Sequence, residues 1–93
     1  MFSRKEAMTT RNLEVLTRAG IHARPASIIA ETANRFDSRI EIEKDTMRIN
    51  AKSIMGIITL GATYKTKLKL ICTGEDEESA ANAIETLFKN RFE

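Results

Sequence analysis

Hydrophobic and polar residues alternate in four short stretches of the chain, and this pattern predicts four β-strands. The first alternation covers residues 12–15 and predicts a strand that ends near Leu16. Two further alternations, at 40–43 and 47–49, predict a hairpin, although its turn lacks the glycine that two-residue turns favour. A fourth alternation at 68–72 predicts the last strand.

Apolar residues recur at helical spacing in three other stretches. The first predicts a helix over about 23–35, and Ser53 and Gly61 bracket a short helix as its cap and its stop. A final amphipathic helix runs to Phe88, with Asp76 as its predicted N-cap.

The predicted element order is βαββαβα, an α/β (α+β) open-faced sandwich. A hairpin in the middle of four short strands implies a mainly antiparallel sheet, with three helices on one face and a polar opposite face. The whole chain, 1–93, is interpreted as one domain, with about residues 1–8 as a frayed leader.

Composition narrows the classes of function. With 42% hydrophobic and 30% charged residues, the chain is typical of a globular protein. It shows no apolar run of membrane-spanning length and no export signal, so no membrane insertion is expected. One cysteine and one histidine fit a reducing cytoplasm and cannot build a zinc site, so no metal is expected. A net charge of +2 is too small to indicate a nucleic-acid partner.

His22, the only histidine, lies between a glycine turn and a predicted helix start, inside the segment 20–26. Most lone histidines near turns are only solvated loop residues. Here, however, Arg24 follows two residues later, and Pro25 fits a first helical turn. A helix start also presents unpaired N–H groups and the positive end of a dipole to an anion. The segment therefore suits a side chain that carries a phosphoryl group.

The segment 20–26 resembles the active-site signature of the histidine-containing phosphocarrier family, HPr, of the bacterial sugar phosphotransferase system. The segments 50–57 and 59–61 resemble the family's second signature, around a regulatory serine, and 74–77 resembles a third recurring feature. The resemblance extends over roughly residues 12–88 and includes the element order.

The resemblance implies that His22 accepts a phosphoryl group on Nδ1 from phosphorylated Enzyme I and passes it to the A domain of an Enzyme II. It also implies that Arg24 neutralises charge on the phosphoryl oxygens, while the backbone N–H groups of Ala23 and Arg24 donate to them. No cofactor is implied, and the chain is expected to be a monomeric carrier rather than an independent enzyme.

Ser53 has two compatible interpretations. As an N-cap it stabilises the short helix, and its loss costs about 1 kcal/mol. By resemblance it is also where HPr kinase/phosphorylase adds a regulatory phosphate in some members of the family, which places about two negative charges on the docking surface.

Three apolar residues are predicted to contact partners: Ile21, Ile54 and Met55. The short helix has more apolar residues than one buried stripe can hold, so some must form an exposed patch beside His22. Ile57 and Leu60 are assigned to the core.

Other candidates have simpler explanations. Cys72 lies on the apolar side of a strand and is predicted to be buried. The acidic run 75–78 suits the start of a helix, and Lys52 and the lysines at 65, 67 and 69 suit a solvated surface.

The chain departs from the family pattern at three places. Ala19 stands where many members carry a small polar residue, Lys65 where glycine is frequent, and Asp45-Thr46 where an Asn-Gly-like turn is common.

Three alternatives were compared with the phosphocarrier. A regulatory HPr paralogue, of nitrogen or catabolite-control type, would use His22 or Ser53 to control partner binding instead of sugar flux. An RNA-binding module would need exposed aromatic residues on its strands, and the predicted strands have none. An independent enzyme would need a second acid or base near His22.

Overall fold

The computed structural model describes residues 8–93, so the predicted leader, apart from the exposed Met8, lies outside the described residues. The elements follow the predicted order. They are β1 Thr9–Glu14, α1 Ala23–Ala33, β2 Arg39–Lys44, β3 Met47–Asn50, α2 Ile54–Thr59, β4 Lys67–Thr73 and α3 Glu77–Lys89.

The four strands form one sheet in the order β1-β4-β2-β3, and every neighbouring pair is antiparallel. The helices cover one face and enclose a single apolar core with the sheet. Its largest fully buried side chains include Ile40, Ile42 and Leu70 from the strands and Ile29 and Phe88 from the helices. The predicted open-faced sandwich is confirmed.

The opposite face of the sheet is polar, as predicted, with one exception. Lys67 and Lys69 of β4 are exposed there, whereas Ile71 on the same face is buried. Its register neighbours on the flanking strands are Thr10 and Glu41. Because Ile71 is a single buried apolar side chain between two polar neighbours, the face as a whole stays polar.

β1 begins three residues earlier than the alternation indicated. Its first core-facing side chains are polar and bond to α3 instead of entering the apolar core. Thr9 donates to Glu77 at 2.8 Å, and Arg11 forms an ion pair with Glu85 at 3.3 Å. Backbone pairing with β4 extends the strand where hydrophobic alternation is absent.

Asp76 occupies the N-cap position of α3, as predicted, and its carbonyl accepts from Ala80 N–H at 2.9 Å. Its side chain makes no capping hydrogen bond, because its carboxylate accepts from the backbone N–H groups of Asp37 and Ser38 and from the Ser38 hydroxyl. These bonds, the Ser38 hydroxyl first among them, hold the pKa of Asp76 below its ordinary value. Asp76 therefore joins the β4–α3 loop to the α1–β2 loop.

Two helix boundaries also differ from prediction. α1 ends at Ala33, where the Asn34 amide donates to the carbonyl oxygens of Ala30 and Lys52. The helix predicted over about 23–35 therefore ends two residues early, which leaves Phe36 in the following turn. α3 ends one residue beyond the predicted Phe88, and Phe92 lies outside it.

In two turns, a residue other than glycine adopts the left-handed backbone conformation that glycine favours. Asp45 in the β2–β3 turn has φ 54° and Lys65 before β4 has φ 72°. Aspartate tolerates this conformation better than most residues, whereas lysine does not. Within residues 8–93, no helix has the length and apolarity needed to cross a membrane.

Candidate functional site

His22 is exposed and occupies the N-cap position of α1, with extended backbone at φ −100° and ψ −162°. Its carbonyl accepts the first helical hydrogen bond, from Ala26 N–H at 3.0 Å. The imidazole itself makes no capping bond. The ring is therefore held at the helix start by its backbone while its nitrogens stay available for chemistry.

The turn before His22 is fixed by a glycine. Gly20 has φ 77°, and its N–H donates to the Thr17 carbonyl at 3.0 Å. A Cβ at this position would lie 2.8 Å from the Ala62 carbonyl oxygen. The same oxygen accepts from Ile21 N–H at 3.0 Å. Close packing of the 17–21 turn on the loop before β4 thus sets where α1 begins.

The first turn of α1 is suited to an anion. Ala23 and Arg24 have no intrahelical acceptor for their backbone N–H groups, and Pro25 has no N–H to satisfy. The first turn carries no acidic side chain, so the positive end of the helix dipole is not neutralised there. The exposed Arg24 adds a guanidinium to the same place. The turn can therefore receive negatively charged oxygens next to His22.

His22 and Arg24 line one open cleft of about 780 Å³. Among the other lining residues, Arg18, Tyr64, Arg91 and Phe92 were not assigned to the site by sequence reasoning. Tyr64, Arg91 and Phe92 are more than forty positions from His22 in sequence, and no motif links them to it. Arg18, four positions before His22, gave only the signal of a charged residue in a loop.

Ser53 is the N-cap of α2, as predicted. Its side-chain oxygen accepts the backbone N–H of Gly56 at 3.0 Å, and the residue is half-buried. The ammonium group of the neighbouring Lys52 donates a hydrogen bond to the Phe36 carbonyl at 2.7 Å, which gives that lysine a structural role.

α2 has the predicted division between core and surface. Ile57 and Leu60 are buried, whereas Ile54 and Met55 are 43% and 69% exposed. Ile58 is also exposed, which enlarges the apolar patch. α2 packs against α1, the helix that begins beside His22.

Ile21 does not share this exposure. Its side chain is 7% exposed and belongs to the core, because the backbone bond from Ile21 to Ala62 turns it inward. It therefore has little apolar surface to offer a partner.

Cys72 is fully buried in the core, as predicted. Burial, with a smaller contribution from Glu77, raises the pKa of its thiol to about 11, so at neutral pH it is a packing residue. Among residues 8–93, no group of three or more histidine, cysteine, aspartate or glutamate side chains could hold a metal ion.

Comparison with known proteins adds a family assignment to this geometry. A family model described as the PTS HPr component phosphorylation site matches residues 9–90. The chain is 50% identical to the phosphocarrier protein HPr of Treponema pallidum over 86 residues, which span 92% of this chain and 98% of that protein.

Solved structures show the same fold. HPr from Thermoanaerobacter tengcongensis matches with a TM-score of 0.87 and 42% identity, over 90% of this chain and 94% of that one. Crh, a catabolite repression protein of Bacillus subtilis, matches with a TM-score of 0.73 and 39% identity, over 85% and 91% of the two chains. That Crh structure is an intertwined dimer with a swapped domain.

Proposed function

The chain belongs to the HPr family of phosphocarrier proteins, and from this premise we propose that His22 is the residue that carries the phosphoryl group. The observation that carries the proposal is the position of the His22 imidazole. It is exposed, it makes no capping hydrogen bond, and it lies at the start of a helix with no acidic side chain in its first turn. Family membership gives the class of protein, and this geometry supports the residue.

The proposed reaction is a transfer between two carriers. Nδ1 of His22, unprotonated, attacks phosphorus as the bond between phosphorus and its donor atom breaks, so one P–N bond forms for each bond broken. The Ala23 and Arg24 N–H groups and the Arg24 guanidinium bind the phosphoryl oxygens. Phosphoryl transfer depends mainly on such positioning and charge stabilisation, so the proposed reaction needs no general acid or base beside His22.

Phosphorylated Enzyme I is the proposed donor, and the A domain of an Enzyme II is the proposed acceptor, in the cytoplasm of a bacterium. The proposed docking surface consists of Ile54, Met55 and Ile58, which α2 exposes. Methionine adapts its shape to different contacts, and a carrier that meets several partners needs such adaptability. In this scheme the chain is a carrier that is phosphorylated and dephosphorylated in turn, not an enzyme with its own substrate.

Intact mass after incubation with phosphoenolpyruvate and a purified Enzyme I tests the proposal. We expect one acid-labile phosphoryl adduct on the wild type and none on His22→Ala, whose fold is checked by circular dichroism. Absence of the adduct on the wild type, with Enzyme I shown to phosphorylate another HPr, would contradict the proposal. A phosphorylated His22→Ala would contradict the choice of residue.

A regulatory paralogue is the second candidate function. Two observations favour it: the similarity to Crh, a protein linked by name to catabolite repression, and the position of Ser53 at the start of the helix that carries the exposed apolar patch. A phosphate on Ser53 would add negative charge next to Ile54 and Met55 and so change which partners bind there.

Two Ser53 variants separate the capping role from the regulatory one. Ser53→Ala removes the acceptor for Gly56 N–H and should lower the free energy of unfolding by about 1 kcal/mol. Ser53→Asp keeps an acceptor, so its stability should stay close to that of the wild type, while its phosphoryl transfer rate from Enzyme I falls. Urea denaturation and quenched-flow transfer assays measure the two effects. Unchanged transfer in Ser53→Asp would exclude control of this step by charge at Ser53.

A further inference from the structure

The cleft beside His22 contains more positive charge than the sequence motif accounts for. Arg18, Arg24 and Arg91 all line it, against one acidic residue, Glu93. We propose that Arg18 and Arg91 extend the site of His22 and Arg24 into an anion site that binds the oxygens of a phosphoryl dianion.

Arg18 is held in place by an aromatic ring. Its guanidinium carbon lies 5.6 Å from the centroid of the Tyr64 ring, within the range of a cation–π interaction. The ammonium of Lys65 lies 5.5 Å from the same centroid. A cation–π contact restrains the guanidinium while leaving its N–H groups free to donate. Arg18 is thereby prepared to bind an anion at a lower entropic cost than a freely moving side chain.

Arg91 reaches the cleft from the other end of the chain. It follows α3 in left-handed backbone at φ 57°, and its Nε donates to the Leu16 carbonyl at 3.4 Å. This bond uses one of the five guanidinium N–H groups and leaves the others for a ligand. The Leu16 carbonyl belongs to the same loop as Arg18, so both arginines are anchored around one segment.

In the part of the chain that the structure describes, Glu93 is the one acidic residue that lines the cleft, and none of the three arginines is paired with it. Within residues 8–93, Arg18, Arg24 and Arg91 form no ion pair, although Arg11 and Arg48 pair with glutamates elsewhere in the fold. Three like charges around one cleft repel each other, and the repulsion is relieved when a dianion binds between them. Guanidinium groups match the geometry of phosphoryl oxygens better than ammonium groups do.

The inference rests on the proposed function in one respect, since the phosphoryl group it concerns is the one carried by His22. Free inorganic phosphate carries the same oxygens and could bind the same arginines. Two measurements distinguish free phosphate from the phosphoryl group attached to His22. Binding of inorganic phosphate to the unphosphorylated chain requires no transfer reaction. The hydrolysis lifetime of phosphohistidine shows whether the arginines bind the phosphoryl group while it is attached to His22.

The first experiment titrates the full chain with inorganic phosphate at constant ionic strength and follows backbone amide shifts in NMR spectra. We expect saturable shifts at residues 17–24 and 91–93, with a dissociation constant in the millimolar range. Arg18→Gln and Arg91→Gln should each weaken binding about threefold, and the double variant about tenfold. Arg39→Gln is the matched control, because Arg39 is an exposed arginine on the polar face of the sheet.

The outcomes are distinct. No saturable shift in the wild type, or equal weakening by Arg39→Gln, would overturn the inference even if His22 accepts a phosphoryl group normally. Conversely, binding that depends on Arg18 and Arg91 would support it even if Enzyme I fails to phosphorylate the chain. Failure of the inference and failure of the proposed function are therefore distinguishable.

The second experiment measures hydrolysis of the phosphorylated chain. If the arginines bind the attached phosphoryl group, Arg18→Gln and Arg91→Gln should change the hydrolysis rate of phosphohistidine, and Arg39→Gln should leave it unchanged. Equal rates in all three variants and the wild type would limit the site to free anions and overturn the proposal for the carried group.

Tyr64 is assigned as a positioning residue and has its own test. Tyr64→Phe retains the ring face under Arg18, and Tyr64→Leu removes it. Phosphate binding should therefore weaken in Tyr64→Leu and remain in Tyr64→Phe. Equal weakening in both variants would mean that the ring face does not position Arg18.

Discussion

Individual residues at this site have roles that depend on backbone geometry as much as on side-chain chemistry. His22 caps α1 with its carbonyl and leaves its ring free. Ser53 caps α2 with its side chain, because its hydroxyl oxygen accepts the backbone N–H of Gly56. Phosphorylation would therefore affect the two helix caps differently. A phosphate on Ser53 changes the cap of α2, because the modified oxygen is the one that accepts the capping bond. A phosphoryl group on the His22 ring leaves the backbone cap of α1 in place.

Gly20 gives a prediction at the residue scale. Gly20→Ala should lower the free energy of unfolding by at least about 2 kcal/mol, because it adds the strain of positive φ to a clash with the Ala62 carbonyl oxygen. Gly61→Ala is the control, since Gly61 also has positive φ but nothing within 4 Å of an added Cβ; it should cost about 1 kcal/mol. Urea denaturation measures both. Equal losses would show that the close approach to Ala62 is unimportant.

At the scale of elements, one carboxylate joins two loops that the hydrophobic pattern treats as separate. Asp76 accepts three hydrogen bonds from the α1–β2 loop, and Ser38, the residue that donates two of them, is buried. Gly74 packs directly on Ser38, so closely that a Cβ at position 74 would overlap the Ser38 side chain. The backbone of Asp76 thus caps the start of α3, while its side chain attaches that start to the loop after α1.

The lowered pKa of Asp76 predicts how stability depends on pH. Because the folded state holds this pKa below its ordinary value, the stabilisation is present above about pH 4 and is lost as pH falls through the folded-state pKa. Asp76→Ala should therefore be less stable than the wild type at neutral pH and lose less on acidification. Glu75→Gln, a change at the exposed neighbour, is the control. Urea denaturation over a range of pH measures the difference, and parallel pH profiles for Asp76→Ala and the wild type would contradict it.

At the scale of the whole molecule, the Crh relative forms an intertwined dimer with a swapped domain. In this structure β1 pairs with β4 of its own chain. Exchange of β1 between copies would open the loop between β1 and α1. That would break the bonds between Thr17 and Gly20, in which Gly20 N–H donates at 3.0 Å and the Thr17 hydroxyl donates at 3.2 Å. A partner copy does not replace bonds made within one turn.

We therefore expect a monomer. Light scattering on the full chain, from micromolar to millimolar concentration, measures the mass directly. Gly20→Ala, which strains the turn, should raise any dimer fraction, whereas Gly61→Ala should not. A stable wild-type dimer at micromolar concentration would contradict the argument and point to an exchange like that of the Crh relative.

The sequence by itself determined the element order, the fold class and the position of His22 at a helix start, because each depends on local periodicity, caps and glycines. Local chemistry also predicted the Ser53 cap and the division of α2 between Ile57 in the core and Met55 on the surface. These features need only neighbours within one or two turns of helix or strand.

Tertiary structure alone decided what depends on residues far apart in the chain. Packing turned Ile21 into the core, hydrogen bonding to Ser38 engaged the Asp76 carboxylate in place of a side-chain cap, and backbone pairing with β4 started β1 at Thr9. The same reason explains why the guanidinium of Arg91 near His22 could not be foreseen. Sequence spacing predicts neighbours along an element, whereas a cleft is formed by loops that only the folded chain brings together.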